Sequence, residues 1–228
     1  MGALDSYTIR AAIIDLDGTL FDTAGDFTAA LNGMLSGLGA RPIDLSETIE
    51  YIGKGTEHLI ASVLGARYDA DAASALFDRA YADYQTEYQR INGHHATLYP
   101  GAAEGVAALR EGGIRLACVT NKPLRFAAGL LAQFGLAGDF DHVFGGDSFA
   151  RKKPDPLPMR EACRALGVTP AETVALGDSE NDALAARAAG IASLIVPYGY
   201  NHGRPVQDLD CNAIVGTLLE AAALILKR

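Results

Sequence analysis

Four short apolar runs constrain this chain more than any other feature. Residues 10–14 lead into Asp15, 115–119 into Thr120, 174–176 into Gly177-Asp178, and 193–196 into Pro197. Runs this short suit buried strands. Between them lie stretches of helical composition with readable stops: 124–134 before Gly135, 156–166 before Gly167, and 183–189 before Gly190. Glycine just past a helix supplies a left-handed cap without a Cβ penalty. Thr169-Pro170-Ala171-Glu172 has capping-box spacing with proline at the first position, so a helical turn should lead into the third strand. Alternating strands and helices predict a parallel, Rossmann-like α/β sheet covered on both faces. Such sheets bind ligands at the carboxyl ends of their strands. Three of these strands end at Asp15, Thr120 and Asp178, which points to one shared site.

From 24 to 97 the pattern changes to nearly continuous helix. Phe77, Tyr81, Tyr84 and Tyr88 recur at one-face helical spacing and read as a packing stripe. The flanks, 22–25 and 91–97, are loop-like in composition. The expected organisation is therefore a core made of 1–23 and 98–228, with 24–97 inserted after the first strand as a four-helix-like cap, or lid, on two linkers.

The length of 228 residues accommodates one domain carrying such an insert. The longest apolar runs, such as 221–226, fall far short of the ~20 residues of a spanning helix, so no membrane segment is expected. The first five residues lack a basic segment followed by an apolar one, which argues against a secretory signal. Met1-Gly2 with Ser6 fits a minimal acylation pattern too permissive to carry weight. Cys118, Cys163 and Cys211 are odd in number and without metal-ligand spacing, so they read as thiols of a reducing, cytoplasmic compartment. A net charge of −9 argues against nucleic acid. It also means that an anionic ligand would need a local cation or a bound metal.

The strongest local signal is Asp15-Leu16-Asp17-Gly18-Thr19-Leu20, directly after the first strand. Carboxylates two residues apart face opposite ways on a continuing strand, so they converge only if the chain curls, and Gly18 permits that. A curled loop also aims successive backbone N–H groups at one point, a nest for anionic oxygens. Val119-Thr120-Asn121-Lys122 adds a hydroxyl, Lys152-Lys153-Pro154-Asp155-Pro156 a cation in a proline-restrained segment, and Gly177-Asp178-Ser179-Glu180-Asn181-Asp182 a second acidic cluster.

These elements, in this order, resemble the four motifs of the haloacid dehalogenase-like hydrolase superfamily. The likeness covers essentially the whole chain, including the position of the helical insert. Tyr198-Gly199-Tyr200-Asn201-His202-Gly203, Val119-Thr120-Asn121-Lys122-Pro123, Gly145-Gly146-Asp147-Ser148 and Tyr51-Ile52-Gly53-Lys54-Gly55 further resemble the bacterial phosphoglycolate phosphatases of that superfamily. The resemblance implies a small phosphate ester as substrate and Mg²⁺ as cofactor, with Asp15 as nucleophile and Asp17 as general acid and base. It implies a metal held by Asp15, the Asp17 carbonyl and Asp178. Thr120 and the Asn121 backbone N–H would bind phosphate, with Lys153, the lysine directly before a proline, neutralising its charge. Asp182 would orient Lys153 or a metal-bound water, or serve only as the acid at a helix start. Substrate choice would lie in the cap, where Gly53, Lys54 and Gly55 form a turn able to reach over the site. Lys54 or neighbouring backbone N–H groups would meet the carboxylate of 2-phosphoglycolate.

Asp17 disfavours a dehalogenase and a phosphonate hydrolase. A sugar phosphomutase keeps both aspartates, so only the subgroup resemblance separates it from a phosphatase. Phosphatases for other small esters, such as sugar phosphates or nucleoside monophosphates, stay open as alternatives. A catalytically silent module of the same fold is disfavoured, because Asp15, Asp17, Thr120, Lys153 and Asp178 are all present. None of His58, His94, His95, His142 and His202 has metal-ligand spacing. His94-His95 reads as solvated loop and His202 as loop packing. Monomer and homodimer are both compatible with the chain.

Overall fold

A computed structural model describes Leu4 and residues 8–227. The N-terminal residues weighed above for secretory and acylation signals lie outside the described residues, Leu4 apart. In chain order the described residues form β1 (Ala11–Ile14), β2 (Phe21–Asp22), α1 (Ala24–Gly37), α2 (Leu45–Tyr51), α3 (Thr56–Gly65), α4 (Ala70–Ile91) and β3 (Thr97–Leu98). There follow α5 (Ala102–Glu111), β4 (Arg115–Val119), α6 (Leu124–Gln133), β5 (His142–Phe144), α7 (Leu157–Leu166), β6 (Thr173–Gly177), α8 (Glu180–Ala189), β7 (Ala192–Ile195), β8 (Ala213–Ile214) and α9 (Leu218–Leu226).

Six strands make one sheet in the order β5-β4-β1-β6-β7-β8, with every pairing parallel. The run leading to Asp15 is continuously apolar because β1 is buried on both faces. Ala12 and Ile14 enter a core with α5, α6 and α9, whereas Ala11 and Ile13 enter another with α7 and α8. Register sets Ile14 between Cys118 of β4 and Leu176 of β6. The chain therefore leaves the sheet at Asp15, Thr120 and Asp178 from three adjacent strands.

Helices α1 to α4 share their own apolar cluster, in which Phe27, Leu31, Leu35, Ile60, Tyr84 and Tyr88 pack together. Phe126 of α6 and Tyr200 join it from the other side and seal the helical layer to the sheet layer. The segments read as loops are partly β structure. Phe21 pairs with Leu98 and Asp22 with Thr97 in a two-stranded antiparallel ribbon, and α1 begins already at Ala24. Strands of two residues leave no periodicity to read. Asp26, fully buried in the first turn of α1, ties down the return segment by accepting from the backbone N–H of Gly93 (2.6 Å) and His95 (2.7 Å).

The first turn of α1 needs partners for its free N–H groups, and Thr23 gives no side-chain cap. They come from far along the chain. The Tyr200 hydroxyl accepts from Thr23 N (2.8 Å) and Ala24 N (3.0 Å) and donates to Asp22 Oδ1 (2.5 Å). The Tyr200-containing run is thus an anchor for the start of α1. We expect Tyr200→Phe to lower stability in urea unfolding by about 1–3 kcal/mol, because the buried Thr23 N–H loses its acceptor and Ala24 N keeps only Asp22 Oδ1 (3.2 Å). A variant as stable as the parent chain would show that water replaces the hydroxyl at no cost.

No helix among the described residues is long and apolar enough to cross a membrane.

Candidate active site

Asp15 is still hydrogen-bonded to the sheet through its N–H to Leu176 O (2.9 Å). The chain then curls. The carbonyl of Leu16 accepts from the N–H groups of Thr19, Leu20 and Phe21, and Gly18 N donates to Phe21 O. Gly18 takes φ +85°, and a Cβ there would lie 2.3 Å from Asp178 Oδ2, so only glycine closes this loop beside β6. The curl turns Asp15 and Asp17 into one cavity of about 40 Å³, which they line together with Thr120, Asn121 and Lys122.

Each predicted core residue reaches this region. Asp17 Oδ1 accepts from Thr23 Oγ1 (2.8 Å) and Lys122 Nζ (2.9 Å). Thr120 is buried after β4, and its Oγ1 accepts from Lys122 N (3.2 Å). Lys153, buried, sets its Nζ 2.8 Å from Asp15 Oδ1 and 2.7 Å from Asp182 Oδ1. Asp182 Oδ2 accepts from Ser179 Oγ and N, closing a capping box at the start of α8. Asp182 therefore holds the lysine and caps the helix at once. Because of that cap, α8 starts at Glu180, three residues earlier than the apolar pattern alone indicated. Asp178 is buried, with Oδ1 accepting from Thr19 Oγ1 (2.7 Å) and Oδ2 from Tyr200 N (2.6 Å).

Asp15, Asp178 and Asp182 offer carboxylate oxygens that all lie within 4.8 Å of one another. Against these three carboxylates stands one ammonium, Lys153. Burial pushes the Asp15 carboxyl up to about 7, with Lys153 opposing and Asp182 adding to the rise. Burial, reinforced by Asp182 and Asp15, pushes Asp178 in the same direction. Burial alone would lower Lys153, but Asp15 and Asp182 outweigh it and raise the ammonium above its ordinary value. Asp15 Oδ1, although close to Lys153, has no well-directed hydrogen-bond donor. A surplus of buried carboxylate oxygens, one without a directed donor, is the donor set of a hard divalent cation. The residues present fit such an ion.

The turn at Gly53–Gly55 divides. Gly53 and Gly55 line the cavity with Ile52, Thr56 and Leu59, whereas Lys54 is exposed and lies in a separate depression with Lys152 and Lys153. Gly53, at φ +112°, turns its carbonyl inward to accept from Asn121 Nδ2 (2.9 Å) and Asn181 Nδ2 (3.2 Å). The aromatic stripe also divides. Phe77 and Tyr81 pack against the cluster of α1 to α4 as expected, but Tyr84 and Tyr88 continue into the cavity wall. His94 and His95 are exposed. His202 Nδ1 lies 3.1 Å from the Glu50 carbonyl of α2. Among the described residues no histidine joins the acidic cluster.

Sequence reasoning gave Lys122 no role, yet its buried ammonium sits between Asp17 and the Tyr88 hydroxyl (2.5 Å). The available signal was its place directly after Thr120-Asn121. Thr19, Thr23, Tyr88 and Tyr200 were missed because they find partners far along the chain.

The chain belongs to the haloacid dehalogenase-like hydrolases, whose family model matches residues 9–190. Within that family it is similar over nearly its whole length to proteins named phosphoglycolate phosphatase. It shares 48% identity with the one from Nitrosospira multiformis and 46% with the one from Thiobacillus denitrificans, in each case over 96% of both chains. A crystal structure described as a predicted phosphoglycolate phosphatase from Haemophilus somnus superposes with a TM-score of 0.90 at 27% identity, covering 96% of this chain and 99% of that one. The resemblance read from the motifs is borne out in both family and fold.

Proposed function

We propose that this chain is a Mg²⁺-dependent phosphatase that hydrolyses 2-phosphoglycolate to glycolate and phosphate through a phospho-aspartate on Asp15. The observation that carries the chemistry is the convergence of Asp15 and Asp17 in one cavity beside Thr120, Asn121 and the Lys153 ammonium. The substrate rests on the two relatives of that name matched along almost their full length.

Asp15 attacks phosphorus in line, its carboxylate oxygen forming the new bond as the bond to the glycolate oxygen breaks. Asp17 gives its proton to the departing alkoxide. It then takes a proton from the water that attacks the aspartyl phosphate, releasing phosphate and restoring Asp15. Thr120 and the Asn121 N–H hold a phosphoryl oxygen, and Lys153 neutralises charge on the transferring group while Asp182 keeps it in place. Asp15, the Asp17 carbonyl and Asp178 would hold Mg²⁺, which supplies positive charge against the phosphate and the carboxylates. The segment 24–97 acts as a lid that excludes bulk water and reopens for release. The buried free thiols Cys118 and Cys163 suit the cytoplasm.

The test is phosphate release from 2-phosphoglycolate, p-nitrophenyl phosphate, glucose phosphates, nucleoside monophosphates and pyrophosphate, with Mg²⁺ and with chelator. We expect turnover that needs Mg²⁺ and is highest for 2-phosphoglycolate. A maximum on another ester would overturn the substrate, and full activity in chelator would overturn the metal.

A further inference from the structure

Lys122 is the only cation among the described residues that line the cavity with Asp15 and Asp17. Its side chain is 1% exposed, and its ammonium lies 4.6 Å from the Phe27 ring centre and 4.7 Å from that of Tyr88. An ammonium has three N–H donors. One goes to Asp17 Oδ1 and one to the Tyr88 hydroxyl, and the third has no acceptor among the described residues. The other lysines nearby are committed elsewhere or lie outside. Lys153 is held by Asp15 and Asp182, Lys152 pairs with Glu57, and Lys54 is exposed beyond the cavity wall. The rest of the wall is largely apolar and aromatic: Phe27, Ile52, Leu59, Tyr84 and Phe126. Asp17 already balances its charge, but a buried N–H donor facing such a wall is costly until an acceptor joins it.

The geometry points to Lys122, rather than the cap turn, as the group that recognises the carboxylate of the substrate and sets specificity for phosphate esters with an anionic tail. This inference rests on the proposed function for its substrate and deepens it. Lys122 follows the phosphate-binding pair Thr120-Asn121 by one residue, so cation and phosphate site share one strand end. All three line one small cavity, so a small substrate with a phosphate and a second anionic group can meet them together. The substrate carboxylate accepts the unused N–H of Lys122, and no covalent bond changes, since binding adds one charge-assisted hydrogen bond. An ester without the tail leaves that N–H without an acceptor. Phe27 and Tyr88 come from α1 and α4, so helices of the inserted segment supply the rings around the cation.

The experiment compares kcat/KM for 2-phosphoglycolate with that for 2-hydroxyethyl phosphate, which replaces the carboxylate by a neutral alcohol. It is run in the parent chain, Lys122→Met and Lys122→Arg, with melting temperatures alongside. We expect the ratio of the two esters to fall about 10- to 100-fold in Lys122→Met, the scale of one hydrogen bond to a charged group. Lys122→Arg should retain more of the ratio than Lys122→Met. An equal loss on both esters, or an unchanged ratio, overturns the inference. Should Lys122→Met not fold, Lys54→Ala decides. The ratio of the two esters should stay unchanged in it, and a fall of about 10-fold or more would assign the carboxylate to the turn at Gly53–Gly55 and overturn the inference. The proposed function fails separately. Another ester beating 2-phosphoglycolate in the panel refutes that reading, whereas the two-ester ratio and its dependence on Lys122 judge this one.

Discussion

Asp15→Asn will release phosphate from 2-phosphoglycolate about 10⁴-fold or more slowly than the parent chain, the scale on which losing a nucleophile is felt. The substitution keeps the shape of the side chain and removes only its ability to form an acyl phosphate. Asp17, Thr120 and Lys153 stay where they are, so whatever rate survives measures positioning and electrostatics without covalent catalysis. The change should also strengthen the metal-free fold. Asp15 is one of three carboxylates clustered against a single lysine, and burial holds its carboxyl up at about 7. At pH 8 the parent chain must keep that group ionised in the fold, and an amide does not ionise. The expected pair of results is lost turnover with a melting temperature in chelator above that of the parent at pH 8. Phosphate release retained above about one part in a hundred would remove Asp15 from the role of nucleophile. Lost turnover with a lowered melting temperature would instead place the defect in folding.

How much of this was legible in the sequence depends on where each residue finds its partners. The β1 run and Asp15 were readable because a strand buried on both faces has no polar alternation, and its end is abrupt. The strands β5 and β8 were not, since they stand at the sheet edges with only His142–Phe144 and Ala213–Ile214, all of them partly exposed or exposed. Periodicity in α4 identified a buried face but not its neighbours. Tyr84 and Tyr88 look like Phe77 until the fold brings Asp17 and Lys122 beneath them. Tyr200 caps α1 across a separation of 177 positions, which no local pattern encodes. Lys122 was in plain view beside Thr120 and Asn121. Its chemistry depends on the Phe27 and Tyr88 rings of α1 and α4, so the motif alone gave it no task. The acids of the site were legible because their residue type already states their chemistry. The groups that position those acids were not, because a tyrosine or threonine acquires a role only from what it touches.

Magnesium should raise the melting temperature of the parent chain, and by more at pH 8 than at pH 5. The sign follows from Asp15, raised from its ordinary 3.8 to about 7 by burial, and from Asp178, raised for the same reason. Between those two values the folded chain keeps a proton that the unfolded chain has released. The folded state binds more protons, so metal-free stability falls as pH rises through this window. Above about 7 the full cost of burying ionised carboxylates is present. A divalent cation meets the same oxygens and offsets that cost, whereas at pH 5 protons already occupy the place. At a hundred times its dissociation constant a ligand stabilises by about 2.7 kcal/mol, or about 5–10 °C for a chain of this size. Asp178→Asn should abolish both the shift and phosphate release, while the variant in chelator at pH 8 melts above the parent because one buried charge is gone. A magnesium shift of equal size in Asp178→Asn, or a metal-free melting temperature flat between pH 4 and pH 7, would show that the cluster of Asp15, Asp178 and Asp182 is satisfied by Lys153 alone.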